Sequence, residues 1–219
     1  MTHGKGGWPM AAVIGLTAED EAALHHLMAR MAADGLPLDG LARVEWREMA
    51  DYNGLVEPAR LDESDRLHCV LYLATVQPFT MAHELAHVAD IALRHDETVV
   101  HLSAAMPHAW HLAHRMSSEY FANRIATRYC ADAEIFPAFQ NDRVGLVKAV
   151  RAGQWADALI NYAMLLGIFH GLGRLDVEPL ELLPDADLDR LTPAALEGMA
   201  GFRNEADAFF ASCALTLAA

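Results

Sequence analysis

Phe79-Thr80-Met81-Ala82-His83-Glu84-Leu85-Ala86-His87 narrows the fold of this chain more than any other stretch. Two histidines stand four residues apart, and a glutamate follows the first. On a helix, residues four apart lie one above the other on one face, so His83 and His87 can reach a single metal ion. Met81, Leu85, Val88 and Ala92 repeat at the spacing of a buried apolar stripe, and the histidines fall off that stripe. One face is therefore expected to pack and another to carry chemistry. In a chain with 12 histidines, two packing residues spaced by chance are the plain alternative. The intervening Glu84 and the helical context favour the metal. Zinc (Zn2+) takes neutral imidazole nitrogen and keeps a position for water when its site is catalytic. Glu84 is placed to act as general base toward such a water, whose pKa the metal lowers.

A catalytic zinc site usually has a third protein ligand. Glu119, in Ser118-Glu119-Tyr120-Phe121-Ala122-Asn123, is the first candidate, because it sits on a predicted helix after the metal helix. His111 and His114 are the rivals, and an exposed helix acid is the plain reading of Glu119. Asn123 follows Glu119 by four residues, and its amide oxygen is expected to accept the free ring N–H of His83.

Composition limits the partners. Lys and Arg number 16 against 30 Asp and Glu, a formal net charge of −14. Such a surface repels phosphate backbones, so direct nucleic-acid binding is not expected. A basic partner would suit it, although solubility alone accounts for acidity of this kind. The hydrophobic share of 53% is enough for a sizeable core in one domain. Cys69, Cys130 and Cys213 are scattered and contain no Cys-x-x-Cys pair, which excludes a zinc ribbon and suggests reduced thiols in a cytoplasmic protein. Ala11 to Leu16 is apolar but too short to span a membrane. Lys5 precedes it, but Glu19-Asp20-Glu21 follows closely and no cleavage site is evident, so the run is read as part of the fold.

Taken in order, the chain predicts a helix from Thr17, with Asp20 in the capping-box position and Leu24, Leu27, Met28 and Met31 as its apolar stripe. Gly35 stops it. Val44 to Glu48 alternates like a strand, Asp51 to Gly54 reads as a turn, Glu57 to Arg66 as a polar loop, and His68 to Ala74 as a second strand. These two strands are expected to form a small antiparallel sheet whose edge could accept an extended peptide. Pro78 suits a first helical turn, and the metal helix is expected to end near His95-Asp96-Glu97. Val99 to Leu102 is a short strand or loop. A histidine-dense stretch (His95, His101, His108, His111, His114) leads, after Pro107, into a helix reaching about Ala131. From Asn141 the chain reads helical, with segments at Val144 to Val150, Trp155 to His170 and Phe202 to Leu217, and a helix start at Thr192-Pro193. The expected division is a core over 1–140 and a helical extension over 141–219, packed together as one structural domain. Peptide hydrolysis also needs an oxyanion donor besides the metal. Tyr162 and His170 are the candidates, with Tyr120 and Tyr129 behind them, and each is more often a packing residue.

The Phe79–His87 motif, followed by Glu119-Tyr120-Phe121-Ala122-Asn123-Arg124-Ile125-Ala126, resembles the ImmA/IrrE zinc metallopeptidases over about residues 65 to 135. That family belongs to the gluzincins (HExxH…E), with two histidines and a downstream glutamate as ligands. The resemblance implies an α+β, mostly helical, zincin-like metallopeptidase core. It assigns His83, His87 and Glu119 to zinc and Glu84 to general base. The expected function is a hydrolase, a metalloprotease cleaving a protein or peptide substrate. The alternatives are a non-catalytic, metal-binding regulatory or sensor protein on a peptidase-like fold, and a zinc hydrolase of some non-peptide amide.

Overall fold

The computed structural model of the protein describes residues 11–50, 52–60, 67–94 and 108–217, the side chains of 58–60, 67 and 212–217 aside. Thr17 caps the first helix, α1 (Ala18–Ala33): the Asp20 amide donates to Thr17 Oγ1 at 3.2 Å. An amide left over in the first helical turn thereby gains an acceptor. Leu24, Leu27 and Met31 are buried, and Met28 packs half-buried beside them. The helix stops at Asp34, and Gly35 turns the chain with φ 87°.

Four strands make one sheet: β1 (Ala12–Ile14), β2 (Leu41–Trp46), β3 (Gly54–Arg60) and β4 (Leu67–Leu73), in spatial order β1-β2-β4-β3. One row of the register runs Val13, Val44, Leu71, Val56. The sheet is mixed, which corrects the expectation of an antiparallel one. The two strands foreseen from sequence are β2 and β4, and they run parallel. The reason is β3, read as turn and polar loop, which forms the antiparallel hairpin with β4 and lets β4 insert beside β2. Pro58 disguised it, since proline removes a ladder donor, and β3 tolerates that because it is an edge strand. The apolar run after Ala11 is the other edge, β1.

Pro78 opens the helix that carries His83 and His87, α2 (Pro78–Leu93). Phe79, Met81, Leu85 and Val88 are buried along it, and Ala92 is half-buried. Arg94 closes it one residue short of the expected end. The predicted element at 99–102, and His95 and His101, lie outside the described residues.

The remaining helices are α3 (His108–Ala126), α4 (Asp132–Ala152), α5 (Trp155–Gly171), the short α6 (Asp185–Leu188) and α7 (Pro193–Leu217), with a 3-10 turn at Pro179–Leu182. α3 is the central one, packed against α2, α5 and α7. Gly167 of α5 lets the two backbones approach: a Cβ there would stand 2.5 Å from the Tyr120 carbonyl oxygen. α4 starts nine residues before the expected helical stretch at Asn141, because Pro137 near its beginning removes one donor without ending it. The proposed boundary at 140/141 thus falls inside one continuous helix. α7 likewise runs unbroken from Pro193, rather than beginning at Phe202. Among the described residues no helix is long and apolar enough to cross a membrane.

Candidate metal centre

α2 and α3 together bring three ligand atoms to one point. His83 Nε2 lies 3.0 Å from His87 Nε2, and Glu119 Oε2 lies 3.3 Å from the first and 3.6 Å from the second. A tetrahedral ion with bonds of about 2.0–2.1 Å keeps its ligand atoms about 3.3–3.4 Å apart, so the triangle fits a single cation. Among the described residues this is the one cluster of its kind. His111 and His114 line the same cleft but stay outside the triangle, so Glu119 takes the third position.

The rings are held from behind. His83 Nδ1–H donates to Asn123 Oδ1 at 2.7 Å, the contact expected from the spacing of Asn123. Asn123 is fully buried, and its Nδ2 donates to Asp142 Oδ2 at 3.1 Å and to the Met164 carbonyl at 3.0 Å. These two acceptors fix which end of the amide faces the histidine. His87 Nδ1–H donates to Ser118 Oγ at 3.0 Å, and Ser118 in turn donates to Asp90 Oδ2 at 2.7 Å. Arg94 Nε reaches the other oxygen of Asp90 at 2.7 Å. With both Nδ1 atoms used as donors, both Nε2 lone pairs are aimed at the shared point. Sequence reasoning missed Ser118, Asp90 and Asp142. The first two carried a signal: Ser118 precedes Glu119, and Asp90 is three residues after His87 on the same helix.

Electrostatics agree with the geometry. Burial alone would lower the His83 pKa, but its bond to Glu119 and the charge of Glu84 outweigh this and raise it to about 9. Burial pushes Glu119 up, yet its bonds to the two histidines bring it well below the ordinary carboxylate range. The shared point therefore demands positive charge, whether a proton or a metal ion. Glu84 is buried, and that burial raises its pKa. Gly54 makes room for it: a Cβ on Gly54 would collide with Glu84 Cγ and come 2.6 Å from Oε1.

The triangle opens into a cleft of 780 Å³ walled by β3, α2, α3, α4 and α5. Tyr162, His170, Tyr120 and Tyr129, the candidates for an oxyanion donor, are not among its lining residues. The Tyr162 hydroxyl faces Glu178 and Arg203. His170 Nδ1 meets the Tyr120 hydroxyl at 2.8 Å, and Tyr129 donates to Asp34 at 2.8 Å.

The chain matches no protein-family model, no curated protein and no solved structure.

Proposed function

We propose that the protein is a zinc-dependent metallopeptidase of the ImmA/IrrE-like kind, with His83, His87 and Glu119 as ligands and Glu84 as general base. The observation that carries this reading is the convergence of two imidazole nitrogens and one carboxylate oxygen, with a buried carboxyl group from the same helix beside them. Two nitrogens and one oxygen leave room in a tetrahedral shell for a water, as in catalytic rather than structural zinc sites. Zinc bound there would supply a water of lowered pKa and a Lewis acid for the peptide carbonyl.

Glu84 does the proton work. It takes a proton from the attacking water as the carbon–oxygen bond forms. It returns that proton to the nitrogen as the carbon–nitrogen bond breaks, so one water is consumed per peptide bond. A carboxyl group whose pKa is raised by burial holds the proton between the two steps better than a solvated one. The substrate class is supported by β3. This edge strand lines the cleft with Gly54, Leu55 and Val56, and its outer side has no strand beside it among the described residues. An extended peptide can pair there as one further strand.

Glu84→Gln tests the assignment. Metal content and thermal midpoint are expected to stay as they are, while turnover of a mixed peptide library falls by about 10²–10⁴, the usual contribution of general acid–base catalysis. Turnover equal to the parent protein would remove Glu84 as base. Full metal loading with no cleavage of any peptide by the parent protein would leave a metal-binding regulator.

A further inference from the structure

The cleft continues past the metal point, and its character changes along α3. His111, His114 and Arg115 line it first, then Glu119, then Asn123. Twelve residues of helix separate His111 from Asn123, about 18 Å at 1.5 Å per residue. Beyond Asn123 the wall is made by α4 and α5. Glu134, Ala138, Asn141 and Asp142 line it from one face of α4; Asp157, Ile160, Asn161 and Met164 line it from one face of α5. These two faces carry three carboxylates and no lysine or arginine.

Asp142 is the residue that does not explain itself. It is 7% exposed, and Oδ2 accepts from Asn123 Nδ2. No lysine or arginine pairs with it among the described residues; the positive charge that acts on it is that of His83, on the far side of Asn123. Buried carboxylates are ordinarily paired with a positive charge. Burial raises its pKa to about 7, so the site as it stands holds the negative charge poorly. A ligand that brought its own cation would relieve this. Ala138, Ile160 and Met164 offer apolar surface for the methylene stem that such a cation would have.

The geometry points to a subsite for a lysine or arginine side chain of the substrate in the cleft beyond His83, with Asp142 as its buried counter-ion and Asp157 and Glu134 as the acidic wall. The inference rests on the peptidase reading and names the substrate it would take: a peptide with a basic residue close to the bond that is cut. The formal charge of −14 would favour the approach of the same class of peptide.

The experiment separates the subsite from the chemistry. Butylguanidinium and its uncharged isostere butylurea, neither of them a metal chelator, are titrated into the full-length protein at pH 7.5 and followed by ligand-observed NMR. The guanidinium is expected to bind at least ten-fold more tightly than the urea, and Asp142→Asn is expected to erase that preference. Ala138→Lys guards against a folding defect in the first variant. It places a cation one turn before Asp142, and it should abolish guanidinium binding while leaving metal content intact. Equal binding of the two probes, or a preference unchanged in both variants, overturns the subsite. Selective guanidinium binding by a protein that takes up no metal in equilibrium dialysis leaves the subsite standing and defeats the peptidase reading. Peptide cleavage without guanidinium selectivity does the reverse.

Discussion

Glu119 and Tyr120 are neighbours in sequence, and they look into two different clusters of histidine and carboxylate. Successive residues point about 100° apart around a helix, so α3 serves one cluster on each side. On the Glu119 side, two imidazole nitrogens and a carboxylate oxygen face one another with no lysine or arginine inside the triangle. Arg115 reaches only the outer oxygen, at 3.8 Å. On the Tyr120 side the cluster carries its own cation. Arg124 donates to the Tyr120 hydroxyl and to Asp207 Oδ1 at 2.6 Å, while His170 contacts both Tyr120 and Asp207. The Arg124 guanidinium also lies over the Phe210 ring, 3.9 Å from its centre. The same residue types thus make a place without a fixed cation and a place held together by Arg124. Orientation decides which: on one side lone pairs converge, and on the other Arg124 donates to both the Tyr120 hydroxyl and Asp207, with only His170 Nε2 left without a hydrogen-bond partner among the described residues of that cluster. The Arg124 cluster ties α7 to α3 and α5, and so supports the helix that presents Glu119.

The sharpest way to break this contrast is to remove a ligand. His83→Ala or Glu119→Ala is expected to lower bound metal from about one ion per chain to a trace, read by elemental analysis after dialysis, because two ligands seldom hold zinc. Arg124→Ala, on the other side, should leave metal content unchanged and lower stability by about 1–3 kcal/mol. Metal lost equally in both would mean that the two clusters are not distinct.

A smaller effect is expected one layer out. Ser118→Ala removes the acceptor of His87 Nδ1–H and the donor to Asp90 Oδ2, and metal affinity should drop about 10–100-fold in competition with a chelator. No change would show that the Ser118 bond does not set the ring.

Proton linkage gives a graded test. Without a metal, burial lowers the His83 pKa but the Glu119 bond and the Glu84 charge outweigh it and raise it from the ordinary 6.5 to about 9. Its raised pKa adds stability to the metal-free fold that is fully present below pH 6.5 and is lost as pH rises through 9. Metal must displace that proton. Apparent affinity should therefore rise about ten-fold per pH unit between 6.5 and 9 and then level. Calorimetry near pH 7 in buffers of different ionisation enthalpy should report about one proton released per ion. No proton release would contradict the shared-proton picture of the triangle.

The smallest change belongs to the rim of the Arg124 cluster. Asp207 is half-exposed, so Asp207→Ala is expected to cost about 1 kcal/mol or less, about 2–4 °C in thermal midpoint, with metal content untouched.

What could be read from the chain follows the range of the interactions involved. The placement of His83, Glu84 and His87 on one helix face is local geometry, legible from a spacing of four residues. So are the Thr17 cap and the opening of α2 at Pro78. Asn123 was legible for the same reason, lying one turn from Glu119. Errors began where partners are far apart in the chain. β3 was hidden by Pro58 and its charged neighbours, and with β3 missing the direction of the sheet was wrong. The helix start was placed at Asn141, nine residues late, because Pro137 interrupts the local pattern although a proline near a helix start breaks little when the rest of the helix is packed. Glu119 could only be ranked above His111 and His114.

The sequence by itself determined the pair of imidazoles, the acid between them and the acidic balance of the chain, since each depends on neighbouring residues or on a count. Only the tertiary structure decided that Glu119 completes the triangle, that Gly54 opens space for Glu84, and that Asp142 lies buried with no lysine or arginine paired to it among the described residues. Those facts depend on how α3, α4 and β3 come to rest against α2. That packing is set by the burial of many side chains at once, and no local spacing encodes it.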